Sequence, residues 1–417
     1  MFFRLTIISL GLTVCLILSG CFGAKETDEV AYVLAVGVDY LPNKQINITY
    51  LLAVPRALGA SGGGGDTDSG KSLVVTTIKA PSLSEGRSLL GASLGRSPDL
   101  SHIKVWVVGE ELARQGLENL VGPLLRFREF RGSMFMMVVR DTAQGFINKN
   151  KPSIDVLPSR WIEGLLLSGT ETGYLLPTHV HEFYNRLKTT SGAPYAVYAA
   201  INPLSGTDRP SAKPTPPERA KEYLAGDIPR EGGNPATVIG TAVFKRDKLA
   251  GTLTNEETRM VAILMGNFPK GFLTIVDPQK AERNVHILLR LGKNPQINVS
   301  FANNRPVIDI NVLLEGELAS IASNINYESE DNRELLEEEV SKTIKLEMVE
   351  MLNHTQALGT DVVNFGRYFR PKFQTYDEVA SFNWNALYPE AEFQVQIHTK
   401  IRRTGLMYQS LPIRGND

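Results

Sequence analysis

The chain has 417 residues, 42% apolar and 21% charged, enough to bury a core and to form two or three domains rather than one. Its 44 Lys and Arg residues offset 45 Asp and Glu residues. A net charge of -1 offers no basic field to a phosphate backbone, which argues against a nucleic-acid partner.

In chain order, Arg4 supplies the only early side-chain charge and residues 5–18 carry none. This is the profile of a secretory signal peptide, and the run falls short of the roughly 20 residues of a membrane-spanning helix. It leads into Leu18-Ser19-Gly20-Cys21, which reads as a lipobox: cleavage between Gly20 and Cys21, with a diacylglyceryl group on the Cys21 thiol. The alternative is a plain signal peptide or uncleaved anchor that happens to contain a cysteine. Two acyl chains suffice for stable anchoring, and residues 25–29 would form a short tether. Cys15 lies in the leader, so the mature body has no thiol left for a disulfide or a Cys-ligated metal.

Alternating and β-branched runs predict a hairpin over 32–39 and 45–54, then a Gly-rich loop at 62–65. Strands at 72–79, 102–108 and 133–140 alternate with helices at 82–94 and 110–127. Ser82-Leu83-Ser84-Glu85 has the spacing of a capping box. Helices follow at 159–167 and 178–187, and the Pro- and Gly-rich stretch 202–234 reads as a linker. Beyond it come a hairpin at 236–245 and 248–253, a helix at 255–264, and strands at 271–276, 284–291, 296–301 and 307–318. The helix at 331–352 carries Leu336, Val340, Ile344, Met348 and Met351 at core-packing spacing, with Glu338 and Lys342 as an i,i+4 pair. A helix at 361–369 and a strand at 392–402 close the chain. The resulting division is a leader (1–20), an N-terminal α/β domain (21–201), the linker (202–234), a middle domain (235–292) and a C-terminal domain (293–417).

Three motifs look like chemistry. Residues 65–72, Gly-Asp-Thr-Asp-Ser-Gly-Lys-Ser, match the P-loop pattern, but a Gly run precedes them and a β-branched strand follows. A phosphate cradle needs a strand before and a helix after. Gly91-Ala92-Ser93-Leu94-Gly95, with Asp99 and His102, follows the order of a nucleophile elbow and its partners, yet Ser93 ends a helix instead of leaving a strand. His179 and His181 form the single close histidine pair, without an HExxH pattern or a clear carboxylate partner for zinc. No catalytic, cofactor-binding or metal-binding residues are expected.

The order of motifs resembles the C-subunit family of spore nutrient-germinant receptors, the Ger(x)C lipoproteins. The likeness runs from Cys21 and Asp28-Glu29-Val30 through Gly37-Val38-Asp39, the stretch 101–110 (SHIKVWVVGE) and Glu129-Phe130-Arg131. It continues through Gly240-Thr241-Ala242-Val243-Phe244-Lys245, residues 249–253 (LAGTL) and Glu256-Glu257-Thr258, then Gly359-Thr360-Asp361, Phe365-Gly366, Trp384 and residues 401–405 (IRRTG). Phe22-Gly23 departs from the family, which often has Trp and Asp after the lipidated cysteine. The resemblance implies three α+β domains with largely antiparallel sheets and no catalytic residues. It also implies assembly with integral-membrane A and B subunits at the spore inner membrane. The rival readings are a solute-binding lipoprotein of a nutrient importer, which shares the anchor, and a lipid-anchored hydrolase using Ser93.

Overall fold

The computed structural model describes residues 29–53, 73–152, 158–203, 222–303, 305–375, 377–378, 382–407 and 410, with Phe3 and Thr6. The lipobox with Gly20 and Cys21, the P-loop-like stretch 65–72 and most of the expected linker lie outside the described residues.

The first sheet has a parallel centre flanked by antiparallel hairpins. Strands β1 (Val30–Leu41), β2 (Gln45–Ala53) and β3 (Leu73–Ala80) pair antiparallel, and β4 (Ser97–Asp99) lies parallel to the start of β1. From β1 the sheet runs on in parallel through β5 (Val105–Gly109), β6 (Phe135–Val139) and β7 (Tyr195–Ile201). Antiparallel β8 (Ala236–Lys245) and β9 (Lys248–Leu253) then close it. All residues of β5 and β6 are buried, as parallel strands covered on both faces require. One face packs on α1 (Leu83–Ser93), α2 (Glu110–Gln115), α3 (Glu118–Arg126) and α6 (Val180–Lys188). The other packs on α4 (Ala143–Lys149) and α5 (Pro158–Gly169).

The helix expected over 110–127 is two helices, because Gly116 takes φ +120° and the Asp247 side chain lies where its Cβ would be, 2.5 Å from Oδ2. Asp247 in the β8–β9 turn then accepts from the Leu117 and Glu118 amides at 3.1 and 3.2 Å.

The second sheet is mostly antiparallel. β10 (Gly271–Asp277) pairs with β11 (Lys280–Leu291), and β11 and β12 (Gln296–Ala302) follow each other along one edge of the 17-residue β13 (Arg305–Ile321). The Gly292 amide bonds the Leu313 carbonyl at 2.9 Å across their break, and β14 (Glu392–Arg403) runs parallel on the other edge. Ile308, Ile310, Val312 and Leu314 bury one face of β13 against the 28-residue α8 (Glu330–Ala357), whose expected apolar stripe is fully buried. Lys342 pairs with Glu339 at 3.5 Å instead of the expected Glu338, an exposed contact worth little. Two α8 side chains close the free edge of β14: Ser341 Oγ accepts from the Thr399 amide and Glu337 Oε1 from the Ile401 amide.

Hydrogen bonding does not divide the chain at the expected boundaries. Residues 235–292 are split, since β8 and β9 extend the first sheet while β10 and β11 begin the second. Between them, α7 (Asn255–Met265) buries Met260, Val261, Ile263 and Leu264 in the core of the second sheet, together with Val243 and Leu253 of the first. The whole is α+β with mixed sheets.

Candidate functional site

In open α/β sheets, ligands enter the crevice at the carboxyl ends of the parallel strands. Here the protein's own side chains occupy it. At the end of β1, Asp39 Oδ1 accepts from the Ala143 amide at 2.6 Å and Oδ2 from the Gln144 amide at 3.0 Å, so a carboxylate already fills the N-terminus of α4. Burial pushes the Asp39 carboxyl up, and the two amides pull it back. Gly109 at the end of β5 makes room, because a Cβ there would lie 2.2 Å from Asp39 Oδ1. Beside it the Tyr198 hydroxyl donates to Glu110 Oε2 at 2.7 Å, Glu110 pairs with Arg114, and Arg140 makes a two-bond fork to Asp227. Burial, then the Glu110 contact, pushes the Tyr198 phenol up to about 12.

Of the residues that mimic a catalytic triad, His102 Nδ1 lies 3.9 Å from Asp99 Oδ1, but Ser93 bonds within its own helix. Ser93 Oγ donates back to the Leu90 carbonyl at 2.9 Å, while His102 Nδ1 lies 3.1 Å from Ser101 Oγ and its ring meets the Tyr32 ring edge-on. Asp99 Oδ1 caps the Ser101 amide at 2.7 Å. His179 and His181 stack at 5.6 Å, but His181 Nδ1 donates to the Gly132 carbonyl and His179 Nδ1 faces Glu182. Among the described residues, no group of three or more His, Cys, Asp and Glu side chains is placed to hold a metal ion.

The recognisable pieces of the second half instead meet at the junction between the sheets, while Asp39, Glu110 and Glu129 of the first half bond within that half. Thr254 and Glu257 form a capping box on α7, and Glu257 also bonds His354 of α8. Thr258 and Thr241 hydroxyls lie 3.0 Å apart. Glu256 and Arg259, nearly fully buried, pair at 2.7 Å; Tyr174 and Asn255 donate to the free Glu256 oxygen, and Arg259 stacks on the Tyr174 ring. Burial pushes the Glu256 carboxyl up, with Arg259 pulling it back. Breaking such a pair strands a buried charge, a cost of about 3–5 kcal/mol.

A second knot forms around Asp361. The expected helix 361–369 shortens to α9 (Gly366–Phe369), because the Asp361 carboxylate takes the backbone donors of its start. Oδ1 accepts from the Asn364 and Phe365 amides at 2.8 and 2.9 Å, and Oδ2 from the Gly366 amide at 3.1 Å and Trp384 Nε1 at 2.7 Å. The Asp361 carbonyl accepts the Ala193 amide, and Arg186 bonds the Ala193 and Val362 carbonyls, tying the knot to the first sheet. A polar groove of about 890 Å³ runs along the same junction, lined by Glu118, Lys188, Arg246, Asp247 and Asn383.

Sequence, fold and junction define a scaffold in which recognisable residues of the second half hold two mixed sheets together. Residues 23–201 match the family described as the spore germination protein N-terminal domain, and residues 239–405 the family described as spore germination B3/GerAC like, C-terminal. Spore germination protein B3 of Bacillus subtilis (strain 168) is 24% identical over 94% of this chain and 95% of its own length. Spore germination protein KC of the same organism is 23% identical over 94% of this chain and 93% of its own. The crystal structure of the GerBC protein superposes with a TM-score of 0.53 at 19% identity, covering 88% of this chain and 96% of that one. The chain belongs to the C-subunit family of spore germination receptors, the Ger(x)C proteins.

Proposed function

We propose that the protein is the C subunit of a spore nutrient-germinant receptor, anchored by a diacylglyceryl group on Cys21 at the spore inner membrane. It acts there as a non-enzymatic partner of integral-membrane A and B subunits. The observation that carries this reading is that both family matches occur in order along the chain, with landmark residues of the second match serving the junction. A body whose buried polar residues hold its parts together acts through surfaces. The tether keeps those surfaces beside their partners, so that modest interfaces suffice at an effective concentration of about millimolar. The importer reading fits less well. Solute-binding proteins close two lobes about a hinge, whereas the buried Glu256–Arg259 pair and the Asp361 knot fasten this junction.

Replacing the anchor tests the reading: Cys21→Ala spores that make the protein should germinate slowly in nutrient, and germination at full speed would refute tethering as the mechanism. Mass spectrometry of the mature N-terminus should show an acylated Cys21; a free thiol or an intact leader would refute the anchor.

A further inference from the structure

The face of the second sheet turned away from α8 is divided in two. At one end charges satisfy one another: Arg290 pairs with Glu315 at 2.7 Å, and Arg402 approaches the same carboxylate at 3.6 Å. At the other end, six side chains form two rows across three strands. Gln296 of β12 faces Asn311 of β13, which faces Gln396 of β14; Asn298 faces Asp309, which faces Gln394. Adjacent strands lie about 4.8 Å apart and the rows about 6.6 Å apart along each strand. None of the six makes a hydrogen bond or ion pair to another side chain or backbone group among the described residues.

Local preference argues against this composition. Asn and Asp are depleted in strands, yet Asn298, Asp309 and Asn311 sit inside β12 and β13, where Thr or Val would fit the pleat better. Residues that break a local rule without forming a compensating contact mark sites shaped for something else. The ground is concave as well. The chain steps out between β11 and β12 at residues 292–295, and the rows floor a depression of about 650 Å³ rimmed by Pro295 and Tyr368.

We propose that this depression binds a neutral glycan chain. An amide, like a hydroxyl, both donates and accepts, so five amides in two rows match successive polyhydroxylated units. Among the residues lining the depression, Asp309 is the one carboxylate and none is Lys, Arg or His, so a charged ligand finds little to pair with. A peptide strand adding to the sheet is the less fitting occupant. The flank of β12 is covered by α9, with Phe301 and Phe369 rings 4.7 Å apart, and Lys372 Nζ already holds the Val299 carbonyl at 2.9 Å.

Calorimetric titration of the full-length chain in a non-glycosidic detergent, with chitotetraose and cellotetraose and with hexaglycine as the peptide arm, tests the proposal. Saturable binding of at least one glycan is expected. The N298V/N311V variant should bind it about tenfold more weakly, the loss of two side-chain hydrogen bonds. It should melt no lower than the parent, because Val favours strands. Q394A/Q396A, on exposed positions of β14, serves as the second variant should the first misfold. Silence of both glycans at millimolar concentration would overturn the proposal. So would unchanged affinity in the folded variants, or binding of hexaglycine alone.

Discussion

Asp361→Asn changes one atom's chemistry and almost none of its shape. The carboxylate receives four donors, two on each oxygen, and an amide offers one oxygen. If that oxygen keeps the Asn364 and Phe365 amides, the new NH2 group points at the Gly366 amide and at Trp384 Nε1, so two buried donors face a third. Each stranded donor costs about 1–3 kcal/mol, giving about 2–6 kcal/mol for the substitution. Thermal unfolding followed by circular dichroism should register a fall of several degrees, with about 2 °C per kcal/mol as the scale for large chains. Trp384→Phe removes one of the same donors along with some packing. The double variant should therefore lose less than the sum of the singles, since the Trp384 bond is counted in both. A D361N protein melting with the parent, or strict additivity with W384F, would show that the knot does not hold the junction.

His354 carries a pH signature. The hydrogen bond to Glu257 raises its pKa above 6.5, against partial desolvation. A raised folded-state value means that the stabilisation is complete below pH 6.5 and fades as pH rises through the folded-state pKa. The melting temperature of the parent minus that of H354Q should shrink from pH 6 to pH 9, and a constant difference would contradict the pairing. Gly109→Ala should cost about 1–3 kcal/mol by driving a methyl group into Asp39 Oδ1 and loosening the cap on α4; an unshifted denaturant midpoint would count against it. Ser93→Ala should leave both stability, within about 0.5 kcal/mol, and germination unchanged, and an abolished response would revive the hydrolase reading.

Legibility in the sequence followed the strength of each local signal. The alternation of β13 and the stripe of α8 were readable because each element buries one face and shows the period of its geometry. Strand β7 went unread: Tyr195 to Ala200 is buried throughout, so it has no alternation to display. The break at Gly116 depends on Asp247, 131 positions later in the chain, and no local pattern encodes it. Composition marked 202–234 as irregular but could not tell that β7 and β8 on either side would pair. For the site, motif order identified the family, while the roles of Glu256, Asp361 and Trp384 needed three dimensions. The amide rows were invisible because their members come from three strands and line up only through register.

If this chain works as one subunit of a membrane receptor, its partners should be recovered with it. Solubilising spore membranes in detergent and recovering the chain through an affinity tag measures that directly. Two integral-membrane receptor subunits should come with it in fixed proportion; recovery of the chain alone, from spores that contain all three, would rule the role out.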